Sequence, residues 1–119
     1  MPGRRLLVVE DHEELRELLA LYLRTAGYAV EAVADGEAGL ARVREGGIDA
    51  MVVDLAMPGL EGGELIAQMR GDSSLPPVPV VLYSGIPPSD PRVSAARALP
   101  LVSYEPKGHL RRLTGALES

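Results

Sequence analysis

Asp49-Ala-Met-Val-Val-Asp54-Leu-Ala-Met-Pro58-Gly59 is the stretch that decides the fold. Residues 50–53 suit a buried strand and end abruptly in the acid Asp54, after which Pro58 and Gly59 turn the backbone away. A run apolar on both faces and bounded by turn residues fits a central strand of a parallel sheet. In such sheets ligands gather beyond the carboxyl ends of the strands. Asp54 therefore stands where an open α/β sheet places its chemistry. A lone acid can also do no more than end a strand. What favours a site is a second acidic pair, Glu10-Asp11, directly after another apolar run, Leu6-Leu-Val-Val9.

On the N-terminal side, Arg5 to Glu10 reads as a buried first strand. Glu13 and Glu14 then suit a helix N-terminus. Leu15, Leu18, Leu19, Tyr22 and Leu23 fall at helical spacing and form one apolar stripe, and Gly27 stops that helix. Tyr28 to Val33 is a short second strand with Asp35-Gly36 at its exit. A second helix from about Glu37 to Arg44 turns Ala38, Ala41 and Leu40 inward and ends at Gly46-Gly47.

On the C-terminal side, a third helix is expected from about Gly63 to Met69, with Leu65, Ile66 and Met69 inward. Pro79 to Ser84 reads as a fourth strand, with proline at its first residue, where a missing N–H is tolerated. Prolines 87, 88 and 91 cannot occupy a helix interior. Asp90 is a good N-cap with proline behind it, and Pro100 closes the other end. The fourth helix is therefore expected to be short, from about Pro91 to Ala98. Leu101 to Tyr104 is a fifth strand, and His109 to Glu118 a closing amphipathic helix. Five strands alternating with five helices imply parallel pairing with helices on both faces.

A length of 119 residues corresponds to one ordinary domain with a single core, and 46% apolar residues suffice to fold it. The net charge of -5 argues against direct contact with nucleic acid. With no cysteine in the chain, disulfides, thiol catalysis and cysteine zinc sites are all excluded. No apolar run approaches the roughly 20 residues of a spanning helix, and Leu6 to Val9 is too short for a signal-peptide core. A soluble cytoplasmic protein is expected.

The strand ends line up as Glu10-Asp11, Asp54, Ser84 and, just after the fifth strand, Lys107. Three carboxylates at one sheet edge repel each other unless a cation neutralises them. Hard oxygen ligands suit Mg²⁺, which keeps waters and accepts a phosphate oxygen. A lysine and a hydroxyl beside such a metal supply what a transferred phosphoryl group needs for its remaining oxygens. Asp54 is then the acceptor and Asp11 a metal ligand.

In this order and spacing the chain resembles a receiver domain of bacterial two-component response regulators, over all 119 residues. Val8-Val-Glu10-Asp11 resembles the family's acidic pair after the first strand. Gly27-Tyr28-Ala-Val and Ala34-Asp35-Gly36-Glu37-Ala38 resemble its second strand and following turn. Asp54-Leu-Ala-Met-Pro58 resembles the phosphoacceptor segment, with Gly62 as the glycine that follows. Ser84, 30 residues after Asp54, takes the family's Thr/Ser place, and Tyr104, three residues before Lys107, that of the aromatic switch residue.

The resemblance implies a doubly wound five-stranded parallel sheet of order 2-1-3-4-5. It also implies transfer of a phosphoryl group onto Asp54 from a sensor histidine kinase or a phosphotransfer protein. Asp11 would hold Mg²⁺ directly, Glu10 directly or through water, and the backbone carbonyl of Ala56 would complete the site. Ser84 and Lys107 would contact phosphoryl oxygens, and Tyr104 would change rotamer with Ser84. Such a domain accepts a group and slowly loses it, rather than turning over as an enzyme. Ala56 and Ile86 stand where relatives commonly carry polar side chains that align the hydrolytic water, so the phosphorylated state is expected to be long-lived.

Three departures stand out. The order Pro106-Lys107-Gly108 replaces the usual Lys-Pro, and a Lys107–Gly108 bond is expected to be trans. Leu99-Pro100-Leu101 replaces the Gly-Ala often found before the aromatic residue. The proline cluster 87–91 occupies what is normally fourth helix. All three fall on a face that many relatives use for output and dimerisation, and a short fourth helix implies a monomer. A first-turn His12 points to solvent on this reading, and His109 has no partner at ligand spacing.

Three rival readings compete with this one, the first two on the same topology. A pseudo-receiver would use the fold only for interaction, against which the intact Asp11, Asp54, Ser84 and Lys107 argue. A mononucleotide binder needs a phosphate-welcoming first loop, whereas residues 10–14 are Glu-Asp-His-Glu-Glu. An aspartyl-phosphate hydrolase would carry an acid two residues after its nucleophile, where this chain has Ala56.

Overall fold

The computed structural model describes residues 3–118. Strands β1 (Arg5–Val9), β2 (Ala29–Val33), β3 (Ala50–Val53), β4 (Val80–Ser84) and β5 (Val102–Pro106) form one parallel sheet of order β2-β1-β3-β4-β5. Between and after them lie helices α1 (Glu13–Thr25), α2 (Gly36–Arg44), α3 (Gly62–Gly71), α4 (Pro91–Arg97) and α5 (Leu110–Glu118). This is the expected doubly wound architecture, with all four pairings parallel.

Alternation along the strands divides the core into two layers. Leu7, Val9, Met51, Val53 and Leu82 face α2, α3 and α4. Leu6, Val8, Val52, Val81 and Tyr83 face α1 and α5 through Leu19, Leu23, Leu113 and Leu117. All four residues of β3 are buried, as a central strand covered on both faces requires.

Helix ends follow local chemistry. Gly27, at φ 105°, lets the N–H groups of Tyr28 and Gly27 reach the carbonyls of Leu23 and Arg24, a full Schellman closure of α1. That use of the Tyr28 N–H delays β2 to Ala29, one residue later than expected. Asp35 caps α2 by accepting the Ala38 N–H at 2.8 Å. Glu61 and Glu64 form a reciprocal capping box that starts α3 at Gly62, one residue early. Asp90 accepts the Arg92 N–H at 2.8 Å, and α4 runs from Pro91 for seven residues. The short helix inferred from the prolines is therefore correct.

Some packing expectations need correction. Ala41 is exposed and Ala38 only half-buried; the inward stripe of α2 is Gly36, Gly39, Leu40 and Val43. A Cβ at Gly39 would lie 3.0 Å from a Val9 methyl, so α2 packs tightly on β1 there. Leu18 is 50% exposed, and the buried stripe of α1 is Leu19, Ala20 and Leu23. β5 starts later and runs two residues further than expected. Leu101 adopts φ 60°, which is not extended backbone, while Pro106 is tolerated because β5 is an edge strand. His109 lies just before α5, and its carbonyl accepts from Arg112 and Leu113.

Candidate functional site

The sheet ladder carries the acids to one place. The N–H of Asp54 donates to the carbonyl of Val9 at 3.0 Å, and that of Glu10 to Val33 at 3.1 Å. Hence β3 and β1 end side by side. Asp54 is only 6% exposed and Glu10 1%, so both carboxylates are largely removed from water. The chain after Asp54 turns sharply back. The Gly62 N–H donates to the Leu55 carbonyl at 3.0 Å, and a Cβ at Gly62 would overlap the carbonyl oxygen of Asp54.

Lys107 bridges the two acids, its Nζ lying 3.1 Å from Glu10 Oε1 and 3.3 Å from Asp54 Oδ2. Burial works against the Lys107 ammonium, but Asp54 and Glu10 outweigh it and hold its pKa above the ordinary value. Burial pushes the Glu10 carboxyl up, reinforced by the charge of Asp54. The His12 N–H, donating to Oε2 at 3.1 Å, and Lys107 pull it partly back.

Asp11 lies beside Glu10. Its Oδ1 is the one buried side-chain oxygen or nitrogen among the described residues without a hydrogen-bond partner. The nearby His12 Nδ1 stands 3.7 Å away, too far for a hydrogen bond. Ligand atoms of Glu10, Asp11 and His12 all lie within 4.8 Å of one another. His12 itself is 76% exposed, in keeping with the solvent-pointing reading, although its ring leans toward both acids. Glu10, Asp11 and Asp54 together with Lys107 carry three carboxyl groups against one ammonium, and a divalent cation would bring them to neutrality. The residues fit a hard, oxygen-liganded cation: an orphaned buried carboxylate oxygen beside a second buried carboxylate is a donor set of that class.

Ser84 is 1% exposed at the end of β4, where its Oγ accepts the Ile86 N–H at 3.1 Å. Tyr104 is half-buried, packs against the core and donates its hydroxyl to the Ile86 carbonyl at 2.6 Å. Both groups are thus tied to the backbone of one residue. Ala56 is exposed, with its N–H 3.4 Å from Asp54 Oδ1. The Lys107–Gly108 peptide is trans, like every bond among the described residues.

Two side chains escaped the sequence reading. Arg16, one turn into α1, donates through Nη1 to the carbonyl of Glu10 at 3.0 Å, with that of Asp11 at 3.4 Å. Its place on the helix face toward the acidic pair was the available signal. Tyr83 is 2% exposed and accepts the Gly108 N–H on its hydroxyl at 3.0 Å. In sequence it is only another apolar strand residue, so nothing marked it.

The chain is similar to known proteins in sequence and in fold. A family model described as the response regulator receiver domain matches residues 6–99. The transcriptional regulatory protein TcrA of Mycobacterium tuberculosis is 40% identical over 83 residues, covering 70% of this chain and 33% of that protein. The transcriptional activator protein PfeR of Pseudomonas aeruginosa is 34% identical over 94 residues, covering 79% of this chain and 30% of that protein. The chain thus spans about a third of the length of these curated relatives. Among solved structures, the Vibrio cholerae chemotaxis protein CheY4 superposes with TM-score 0.87 at 25% identity, over 98% of this chain and 97% of that one. The response regulator TrrA of Thermotoga maritima, in complex with Mg²⁺ and BeF, gives TM-score 0.79 at 25% identity, over 97% and 96% of the two chains. The chain belongs to the response regulator receiver domain family of two-component systems.

Proposed function

We propose that Asp54 accepts a phosphoryl group from a phosphohistidine of a sensor kinase or phosphotransfer protein, in a Mg²⁺-dependent reaction. The observation that carries this reading is the pairing of buried Asp54 with Lys107 at 3.3 Å, while an Asp11 oxygen next to Glu10 has no hydrogen-bond partner. A carboxylate oxygen of Asp54 attacks phosphorus, the P–N bond to the imidazole breaks, and its electron pair leaves on the imidazole nitrogen. Lys107 is placed to meet negative charge on the phosphoryl oxygens, and the Ser84 hydroxyl to donate to one of them. Asp11, Glu10 and the backbone carbonyl of Ala56 would hold Mg²⁺, with Asp54 itself as a further ligand. When bound, the ion supplies charge neutralisation to the cluster.

Signal output follows from the shared use of Ile86. When the Ser84 hydroxyl turns to the phosphoryl group it releases the Ile86 N–H. The segment that also accepts the Tyr104 hydroxyl is then free to shift. The domain is a stoichiometric acceptor with slow self-hydrolysis, not a turnover enzyme. It works in the cytoplasm as a monomer and without touching nucleic acid itself. No helix among the described residues is long and apolar enough to cross a membrane.

Acetyl phosphate, a small phosphoryl donor, provides the test. Wild-type protein should label in Mg²⁺ and fail to label in EDTA, and Asp54→Asn should not label while remaining folded. Undiminished labelling of Asp54→Asn would refute the assignment, whereas a folded wild type that never labels would favour an interaction-only module. Asp11→Ala should weaken Mg²⁺ binding in calorimetry, since a hard cation loses a direct carboxylate.

A further inference from the structure

We propose that Tyr83 is a positioning residue for Lys107, its hydroxyl restraining the peptide unit that follows the lysine. The inference rests on the phosphoacceptor reading of Asp54 for its kinetic consequence, but not for its geometry. The two peptide units that flank the Lys107 Cα are both tied to β4. On one side the Lys107 N–H donates to the Ser84 carbonyl at 3.0 Å. On the other, the Gly108 N–H donates to the Tyr83 hydroxyl at 3.0 Å. With both units fixed, the direction in which the Lys107 side chain leaves the backbone is fixed. Its ammonium is thereby delivered to Glu10 at 3.1 Å and Asp54 at 3.3 Å.

Tyr83 and Gly108 form a matched pair. A proline at 108 has no N–H, and the hydroxyl of buried Tyr83 would lose its one hydrogen-bond partner among the described residues. Gly108 also sits at φ 99°, which proline cannot adopt and other residues adopt only with strain. The tyrosine is rigid because its ring is packed in the layer beneath α1 and α5, and its neighbour in sequence is Ser84. Tyr83 thus links the core to the loop that carries the lysine, without touching the acids.

The experiment is Tyr83→Phe, which removes one oxygen and keeps the ring. Amide hydrogen exchange by NMR should show Gly108 exchanging at least about tenfold faster while core amides of β3 stay protected. Labelling by acetyl phosphate at saturating Mg²⁺ should slow by about tenfold, the scale on which small misplacements of a reacting group act. In a Lys107→Ala background the same substitution should leave the residual labelling rate unchanged, because its effect passes through the lysine. Equal Gly108 exchange in wild type and Tyr83→Phe would overturn the proposal, as would an equal rate loss in both backgrounds. A folded wild type that does not label would instead refute the phosphoacceptor reading, and the exchange comparison alone would then decide whether Tyr83 holds the loop.

Discussion

Gly62 matters for what it lacks. A Cβ there would run into the Asp54 carbonyl and stand 2.9 Å from the Leu55 Cα. Gly62→Ala must therefore push the start of α3 away from the strand end that carries Asp54. We expect a loss of about 1–3 kcal/mol, the usual cost of overpacking, read by urea denaturation, together with slower labelling. Ala56 and Ile86 make the opposite kind of prediction, about a lifetime rather than a fold. Both backbone groups of Ile86 are engaged, and its side chain packs against the core. Neither it nor Ala56 offers a side-chain hydrogen bond to a water behind the phosphorus. Ala56→Asn with Ile86→Glu should shorten the phosphorylated lifetime by about tenfold, measured as loss of label after removal of the donor. A wild type that already loses label faster than the double variant would contradict the argument.

At the level of elements, β2 shows how an edge is held. Glu31 accepts from Arg42 Nε at 2.7 Å and Nη2 at 2.9 Å, and from Arg5 at 3.1 Å, so α2 and β1 are tied to the outer strand. The Arg42 hydrogen bonds outweigh partial burial and hold the Glu31 carboxyl below its ordinary 4.5. A lowered pKa means that this stabilisation is present above that value and fades as pH falls through the lower folded-state one. Arg42→Gln should therefore make the acid limb of the stability profile shallower, with Glu31 titrating nearer 4.5 by NMR. An unchanged Glu31 titration would show that the pair is open in solution. How far the elements were legible depended on the range of the forces that set them. The start and length of α4 could be read because Asp90, Pro91 and Pro100 act locally. The inward face of α2 could not, since Gly36 and Gly39 carry no hydropathy signal and matter only through close approach to a neighbour. The extent of β5 was likewise hidden. Its pairing from Val80↔Val102 to Ser84↔Pro106 is a property of β4, and Leu101 bends for no reason its own side chain supplies. That Glu10, Asp54 and Ser84 gather at one sheet edge was legible because each follows an apolar run. Arg16 and Tyr83 were not, since one acts through backbone carbonyls and the other through a loop distant in sequence.

The whole molecule carries a conflict between its two ends of scale: a well-packed double core closes around a sheet edge that gathers more acids than bases. Glu10 and Asp54 are nearly dry, Asp11 has a buried oxygen without a hydrogen bond, and among the described residues Lys107 is the one ammonium paired with Glu10 and Asp54. Unfolding separates these groups and hydrates them, so their mutual repulsion is charged to the native state alone. Two consequences differ in sign from those of an ordinary surface mutation. First, Asp54→Asn in EDTA should be more stable than wild type, because one of the crowded charges is gone while Lys107 keeps Glu10. Second, Mg²⁺ should stabilise wild type by linkage, by about 2.7 kcal/mol at a hundredfold excess over its dissociation constant, and Asp11→Ala much less. A change of about 1 kcal/mol moves the thermal midpoint by roughly 4 °C in a domain of this size. Both effects are therefore measurable by scanning calorimetry with and without the metal. If Asp54→Asn melts below wild type in EDTA, the Lys107 contact outweighs the repulsion and the acidic edge is a stabilising network. If it melts above, and the gap narrows as Mg²⁺ is added, the acids are held together at the expense of stability, as the proposed cation site requires.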